Sequence, residues 1–428
     1  MNDVFTAHTL DNGLTVLLQE NHSSPVISHW VWYRVGSRND APGKTGISHF
    51  VEHMQFKGSR RFPGQESFLS ITRNGGIWNA FTGPDWTSYF ETMPAGRIGT
   101  ALELEADRMV NSVYDPDDVE SERTVILSEK EGGLCEPFAL LEETLQYAAF
   151  PQHPYGNPVI GESEDLCSLT RDDIFEHYRS RYAPNNAVVS IAGDFETEEM
   201  LRRVGAAYGN IPARPVPVED IKPAEPILNP HYIIQPASRD LPWLRIVWHA
   251  PAAKDPAMPA FTLLNCILAG PCHMEALEGR FFPNETSRLC RKLENNGMRA
   301  GVSSWFLYTI DPYNYNLTLA LDPGASVEEA ADVVFGEIER VVREGVLPGE
   351  IEKARKQLKA VHAYAAEDVA NQAYWLGQGA MFDDPDWFTA YPARLDRVGA
   401  EDIAWAAGSF LRRDNCVIGA SVKKEEEA

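Results

Sequence analysis

LTRDDIFEHYRSRYAPNNAVVSI (residues 169–191) and VGAEDIAWAAGSFLRRDNCVIGA (residues 398–420) carry one pattern twice. Each runs from an acidic helix start through a helix and a polar turn into an apolar strand, with Thr170 placed to cap the first copy. Ile174 meets Ile403 and Asn186 meets Asn415 at one constant offset of 229 residues. NGGIWNAFTGPDWTSYF (74–90) is echoed in the same way by residues 296–317, a glycine turn followed by two strands. A chain of 428 residues is too long for one ordinary core. Duplication within it predicts an α+β fold of two homologous domains, each a mostly antiparallel sheet packed with helices, facing each other across a cleft. Residues 211–236 hold seven prolines and read as the linker between them. The expected division is therefore 1–212, a linker at 213–236, and 237–428.

Only the first domain is expected to carry a metal. GISHFVEHMQFKG, Gly46 to Gly58, holds His49, Glu52 and His53 in the order H-x-x-E-H. Offsets of three and four residues fall on one face of a helix, so the three side chains project into the same space. Two imidazoles so placed can grip one Zn²⁺, and the carboxylate beside them can take a proton from water at the metal. A site of that kind needs a third protein ligand and an open position. Asp115-Pro116 opens a further helix that offers Glu122, Glu129 and Glu131, with Glu122 and Glu129 two turns apart on one face. Spacing alone leaves the choice among these three open.

The totals narrow the partners. Lys+Arg 38 against Asp+Glu 62 gives a net charge of −24, which excludes nucleic acid and anionic membrane as natural partners and would draw in a cationic substrate. Six cysteines are scattered with no C-x-x-C, which fits reduced thiols rather than a disulfide frame. No run of 18 apolar residues exists, so no membrane span is expected. The opening MNDVFTAHTLDNG lacks a basic segment followed by an apolar core. The expectation is a soluble, cytoplasmic protein.

Taken together, four stretches carry a resemblance to a known family. GISHFVEHMQFKG, GGIWNAFTGPDWTSYFET, ERTVILSE (Glu122 to Glu129) and YAPNNAVVSIAGDF resemble segments of the pitrilysin-type inverted-zincin metallopeptidases. That family includes insulin-degrading enzyme and the mitochondrial processing peptidases. The chain is similar to its short two-domain bacterial members and to the β subunit of mitochondrial processing peptidase.

The resemblance implies a zinc endopeptidase acting on short unstructured peptides, with one Zn²⁺ per chain on His49, His53 and Glu129. It implies Glu52 as the general base and Glu122 as the acid that orients a ligand imidazole. Asn79 and Ala80 would lie on an edge strand where a peptide substrate, basic by the charge argument, pairs its backbone.

One departure stands out. The family's second domain carries an L-R-E-x-x-G-L-x-Y segment whose Arg and Tyr reach the scissile carbonyl. Here Glu294 stands near the Arg position and Ala300 at the Tyr position, while Arg299 is expected on the wrong strand face. The preceding loop, 270–286, is also longer and less glycine-rich than the family's turn. The implied partner is a homologous, zinc-less subunit that supplies the Arg/Tyr pair in a heterodimer. The alternative is a non-catalytic structural or assembly subunit of a larger complex.

Overall fold

The computed structural model describes residues 5–135, 138–228, 231–236, 242–272, 274 and 284–422. The 270–286 loop therefore lies largely outside the described residues. Eleven strands are seen among them: β1 (Thr6–Thr9), β2 (Thr15–Glu20), β3 (Val26–Tyr33), β4 (Ile77–Thr82), β5 (Thr87–Pro94), β6 (Ala187–Gly193), β7 (His231–Pro236), β8 (Trp243–Ala250), β9 (Ala300–Phe306), β10 (Tyr313–Leu321) and β11 (Val417–Val422). The helices that carry the site, the repeated motif or the exchange described below are α1 (Ile47–Met54), α2 (Ile98–Asn111), α3 (Pro116–Leu134), α4 (Ala139–Ala149), α5 (Arg171–Arg181), α6 (Arg288–Asn295), α7 (Val369–Met381) and α8 (Ala400–Phe410).

Two mixed sheets result, ordered β1-β2-β6-β3-β5-β4 and β7-β11-β8-β10-β9. Without β1 the two orders are the same, and so are the pairings. β2 runs parallel to β6 and β7 parallel to β11, while every other neighbouring pair is antiparallel. The repeat read in the sequence is thus a repeat of topology. α5 shifted by 229 residues falls on α8, and both lead into the central parallel-paired strand. β-branched and aromatic residues make β3 the middle of its sheet, with seven of its eight residues buried.

The chain divides into two compact units that are not continuous in sequence. The first takes Met1–Glu131, Asn157–Ile221 and Ala366–Thr389, and the second takes Gly132–Gly156, Lys222–Ala365 and Ala390–Ala428. This differs from a single break at the proline-rich stretch in two ways. The last six residues of that stretch, His231–Pro236, are strand β7 rather than linker. Each half also gives one helix to the other half's sheet: α4 packs on β7, β8 and β11, while α7 packs on β2, β3 and β6. α4 shifted by 229 residues covers 368–378, so the exchanged helices are themselves repeat counterparts.

Apolar faces explain the exchange. Trp30 and Trp32 of β3 are fully buried, and the ring of Tyr374 on α7 lies 5.4 Å from each. Trp32 Nε1 donates to Ser190 Oγ, and Ser190 Oγ donates to the Ala373 carbonyl. A Cβ at Gly377 would drive into the Trp32 indole and Ser190, so only glycine lets α7 seat on this sheet.

Candidate metal centre

α1 starts without a side-chain cap of its own. Its N-cap, Gly46, sits at φ 82°, and a Cβ there would collide with the Ile160 carbonyl. Asp40 caps from a distance instead. Its buried carboxylate accepts from Gly46 N–H at 2.8 Å, Ser48 N–H at 3.3 Å and Ser48 Oγ–H at 2.6 Å. An acidic group at a helix N-terminus satisfies orphan donors and complements the dipole.

From that anchored start, His49 and His53 project side by side, ring centroids 4.5 Å apart. Glu129, from α3, meets them. One ligand atom from each of His49, His53 and Glu129 lies within 4.8 Å of the others, and they are the one such group of three among the described residues. Two imidazoles and a carboxylate are the donor set of a zinc site that keeps a position open.

The surrounding hydrogen bonds fit that use. Glu122, also on α3, accepts from His53 Nδ1–H at 2.8 Å. Nε2 of His53 is thereby left to face Glu129 Oε2, 3.4 Å away. The second Glu122 oxygen takes the Lys57 ammonium. Burial would raise the Glu122 carboxyl, but its bonds to His53 and Lys57 outweigh burial and hold it low, so it stays an anionic acceptor. His53 is shifted up because the Glu122 bond and the carboxylates of Glu52, Glu122 and Glu129 overcome the lowering that burial alone would cause. His49 is pushed down to about 3 by burial and by His53 beside it. Its imidazole is therefore neutral near pH 7, and its buried Nδ1 has no hydrogen-bond partner among the described residues.

Glu52 lies on the same helix between the two histidines, only 7% exposed. Thr82 Oγ1–H donates to its Oε2 at 2.6 Å. Burial pushes the Glu52 carboxyl up from its usual range, with the Thr82 bond and His53 acting against it. A carboxyl so shifted is a better proton acceptor than one in water.

Asn79 and Ala80 fall on β4, the last strand of its sheet, opposite Phe90 and Tyr89 of β5. Asn79 is exposed, and its Oδ1 accepts from Ala80 N–H at 2.9 Å. His49, Glu52, His53, Glu122 and Glu129 are thus brought together, Asn79 and Ala80 lie on the last strand of the sheet, and Glu131 is left out of the cluster. In the second unit Glu294 and Arg299 are both exposed, Glu294 on α6. Three contributors escaped the sequence reading. Lys57 follows His53 by four residues and could have been found by helical spacing. Thr82 shares a strand face with Ala80 but was not singled out. Asp40 gives no local signal at all.

Comparison with known proteins gives the family. Residues 15–163 match the family model described as insulinase, peptidase family M16, and residues 168–358 match the model described as the peptidase M16 inactive domain. The chain belongs to peptidase family M16. Among family relatives, an uncharacterized zinc protease of Streptomyces coelicolor is 25% identical over 414 residues, covering 95% of this chain and 87% of that one. A probable β subunit of mitochondrial-processing peptidase from Arabidopsis thaliana is 24% identical over 421 residues, covering 96% and 77%. An uncharacterized zinc protease of Bacillus subtilis is 30% identical over 207 residues, and that match spans 48% of this chain and 50% of the relative. In three dimensions the chain is similar to a protease from Helicobacter pylori, with a TM-score of 0.89 at 22% identity over 98% and 99% of the two chains. The M16 model over the second half is the inactive one, and the H-x-x-E-H motif lies in the first half. Among the described residues, no helix is long and apolar enough to cross a membrane.

Proposed function

We propose that this chain is a zinc endopeptidase, with His49, His53 and Glu129 holding one Zn²⁺ and Glu52 serving as general base. The observation that carries the reading is the convergence of those three ligand atoms within 4.8 Å, with the Glu52 carboxylate on the same helix face. Names of relatives as zinc proteases support it. Zn²⁺, when bound, lowers the pKa of water toward neutrality and polarises a carbonyl.

The protein's own groups do the rest. Glu52 accepts the proton of the attacking water and can return it to the leaving amine. Glu122 fixes the tautomer and direction of His53, and Lys57 keeps Glu122 anionic. The free edge of β4 at Asn79 and Ala80 receives the substrate backbone as an added strand, which selects extended, unstructured peptides. The charge of −24 favours basic ones. Six unpaired cysteines fit a reducing cytoplasm.

A partner belongs to this reading. Glu294 and Ala300 stand where the resemblance implies an Arg and a Tyr, so neither of those positions offers the implied oxyanion donor. Such donors commonly contribute about 10²–10³ in rate. A homologous, zinc-less subunit supplying them would complete the site as a heterodimer. The same gap favours the second reading, a structural or assembly subunit, but a buried base beside a ligand set argues for chemistry.

The test is cleavage of an unstructured basic peptide by the chain alone, before and after removal of metal by a chelator, with zinc content measured. Zinc-dependent turnover supports the peptidase reading, and full activity alone would remove the need for a partner. Stoichiometric zinc with no cleavage, alone or with any co-purifying homologue, would decide for the scaffold.

A further inference from the structure

β4 offers a free edge at Asn79 and Ala80, and two residues later on the same strand face it holds the base. Thr82 closes β4 at the turn into β5, opposite Thr87. Its hydroxyl donates to Glu52 Oε2 at 2.6 Å. Among the described residues the Glu52 side chain has no other side-chain hydrogen bond. Behind it, Thr87 Oγ1–H donates to the Val35 carbonyl at 2.9 Å, and the Thr87 oxygen stands 3.5 Å from Thr82 Oγ1 with both hydroxyl protons already given elsewhere. A glutamate has three rotatable side-chain bonds, and one held oxygen removes most of that freedom.

We propose that Thr82 is a positioning residue that aims Glu52. By occupying Oε2 it leaves Oε1 as the proton-accepting oxygen, and by standing on β4 it ties that oxygen to the register of the docked peptide. The inference rests on the peptidase reading of the site. Strand and base then move as one body: a peptide added along β4 arrives with its backbone at a set distance from Oε1. Misplacement of a base by about 1 Å can cost on the order of 10² in rate. Thr82 touches neither the metal ligands nor, by this account, the substrate's side chains, so zinc affinity and substrate affinity should be independent of its hydroxyl.

Thr82→Val removes the hydroxyl at nearly constant shape, and Thr82→Ser restores it. In the full chain with zinc, and with the partner if one is required, Thr82→Val is expected to lower kcat about 10- to 100-fold. KM and the zinc dissociation constant should stay within about twofold of wild type, and Thr82→Ser should recover kcat to within about threefold. A kcat within threefold of wild type in Thr82→Val would overturn the proposal. So would a parallel loss of zinc affinity without rescue by serine, which marks a merely structural role, or a rise in KM alone, which marks strand docking.

A second measurement reads the contact whether or not peptide is cleaved. Urea unfolding of wild type, Thr82→Val, Glu52→Ala and the double variant forms a cycle. Coupling of about threefold or more in the unfolding equilibrium constant is expected, and strict additivity would overturn the proposal. If zinc-loaded wild type cleaves nothing while the cycle shows coupling, the peptidase reading fails and the Thr82–Glu52 contact stands.

Discussion

At the scale of single residues, the site is a set of exchanges between burial and hydrogen bonding. Glu122 shows the balance. It is 7% exposed and would be driven toward protonation, yet His53 and Lys57 together hold it ionised. An ionised Glu122 can only accept, so His53 must donate from Nδ1 and present Nε2 outward. Glu122→Gln can turn its amide toward His53 and loses the pair with Lys57. Zinc affinity, measured by competition with a chelator, is expected to fall about 10- to 100-fold in that variant. An unchanged dissociation constant would mean that Glu122 does not orient the ligand. The motif residues were legible in sequence because helical spacing states which side chains share a face. Their helpers were less so. Lys57 was within reach of the same rule, whereas Asp40 acts across a loop whose path no spacing rule gives.

Among the elements, the sheets were legible and the helix exchange was not. Strand patterning and the 229-residue offset state what is repeated, and apart from β1 the repeat reappears strand for strand in both sheets. Periodicity shows that a helix has an apolar face but not which sheet will cover it. The aromatic surface of Trp30, Trp32 and Phe81 therefore gave no hint that α7, about 290 to 340 residues further along the chain, would seal it. Gly377→Ala should lower the stability of the first unit by about 1–3 kcal/mol through overpacking against Trp32 and Ser190. Urea unfolding followed by tryptophan fluorescence reads this, and an unmoved midpoint would contradict the close approach. For the same reason a fragment of residues 1–221 is expected to aggregate, and a peptide of residues 366–389 should return it to solution. A fragment that is monomeric and folded without that peptide would show that the exchange is dispensable.

For the whole molecule, charge is the property that acts furthest. Acidic residues outnumber basic ones by 24, and attraction of this kind weakens as salt shortens the Debye length. With a basic peptide, kcat/KM should fall several-fold between about 20 and 200 mM salt, whereas a neutral peptide of equal length should change little. Equal salt dependence for both would remove the electrostatic argument for basic substrates.

In the proposed centre His49, His53 and Glu129 hold the metal and Glu52 serves it, and one measurement separates those roles. Zinc content and peptide turnover are read together in wild type, Glu52→Gln and Glu129→Gln. About one zinc per wild-type chain is expected. Glu52→Gln should retain zinc with turnover reduced by at least about 10², and Glu129→Gln should lose both. Full turnover in Glu52→Gln, or undiminished zinc in Glu129→Gln, would contradict these roles.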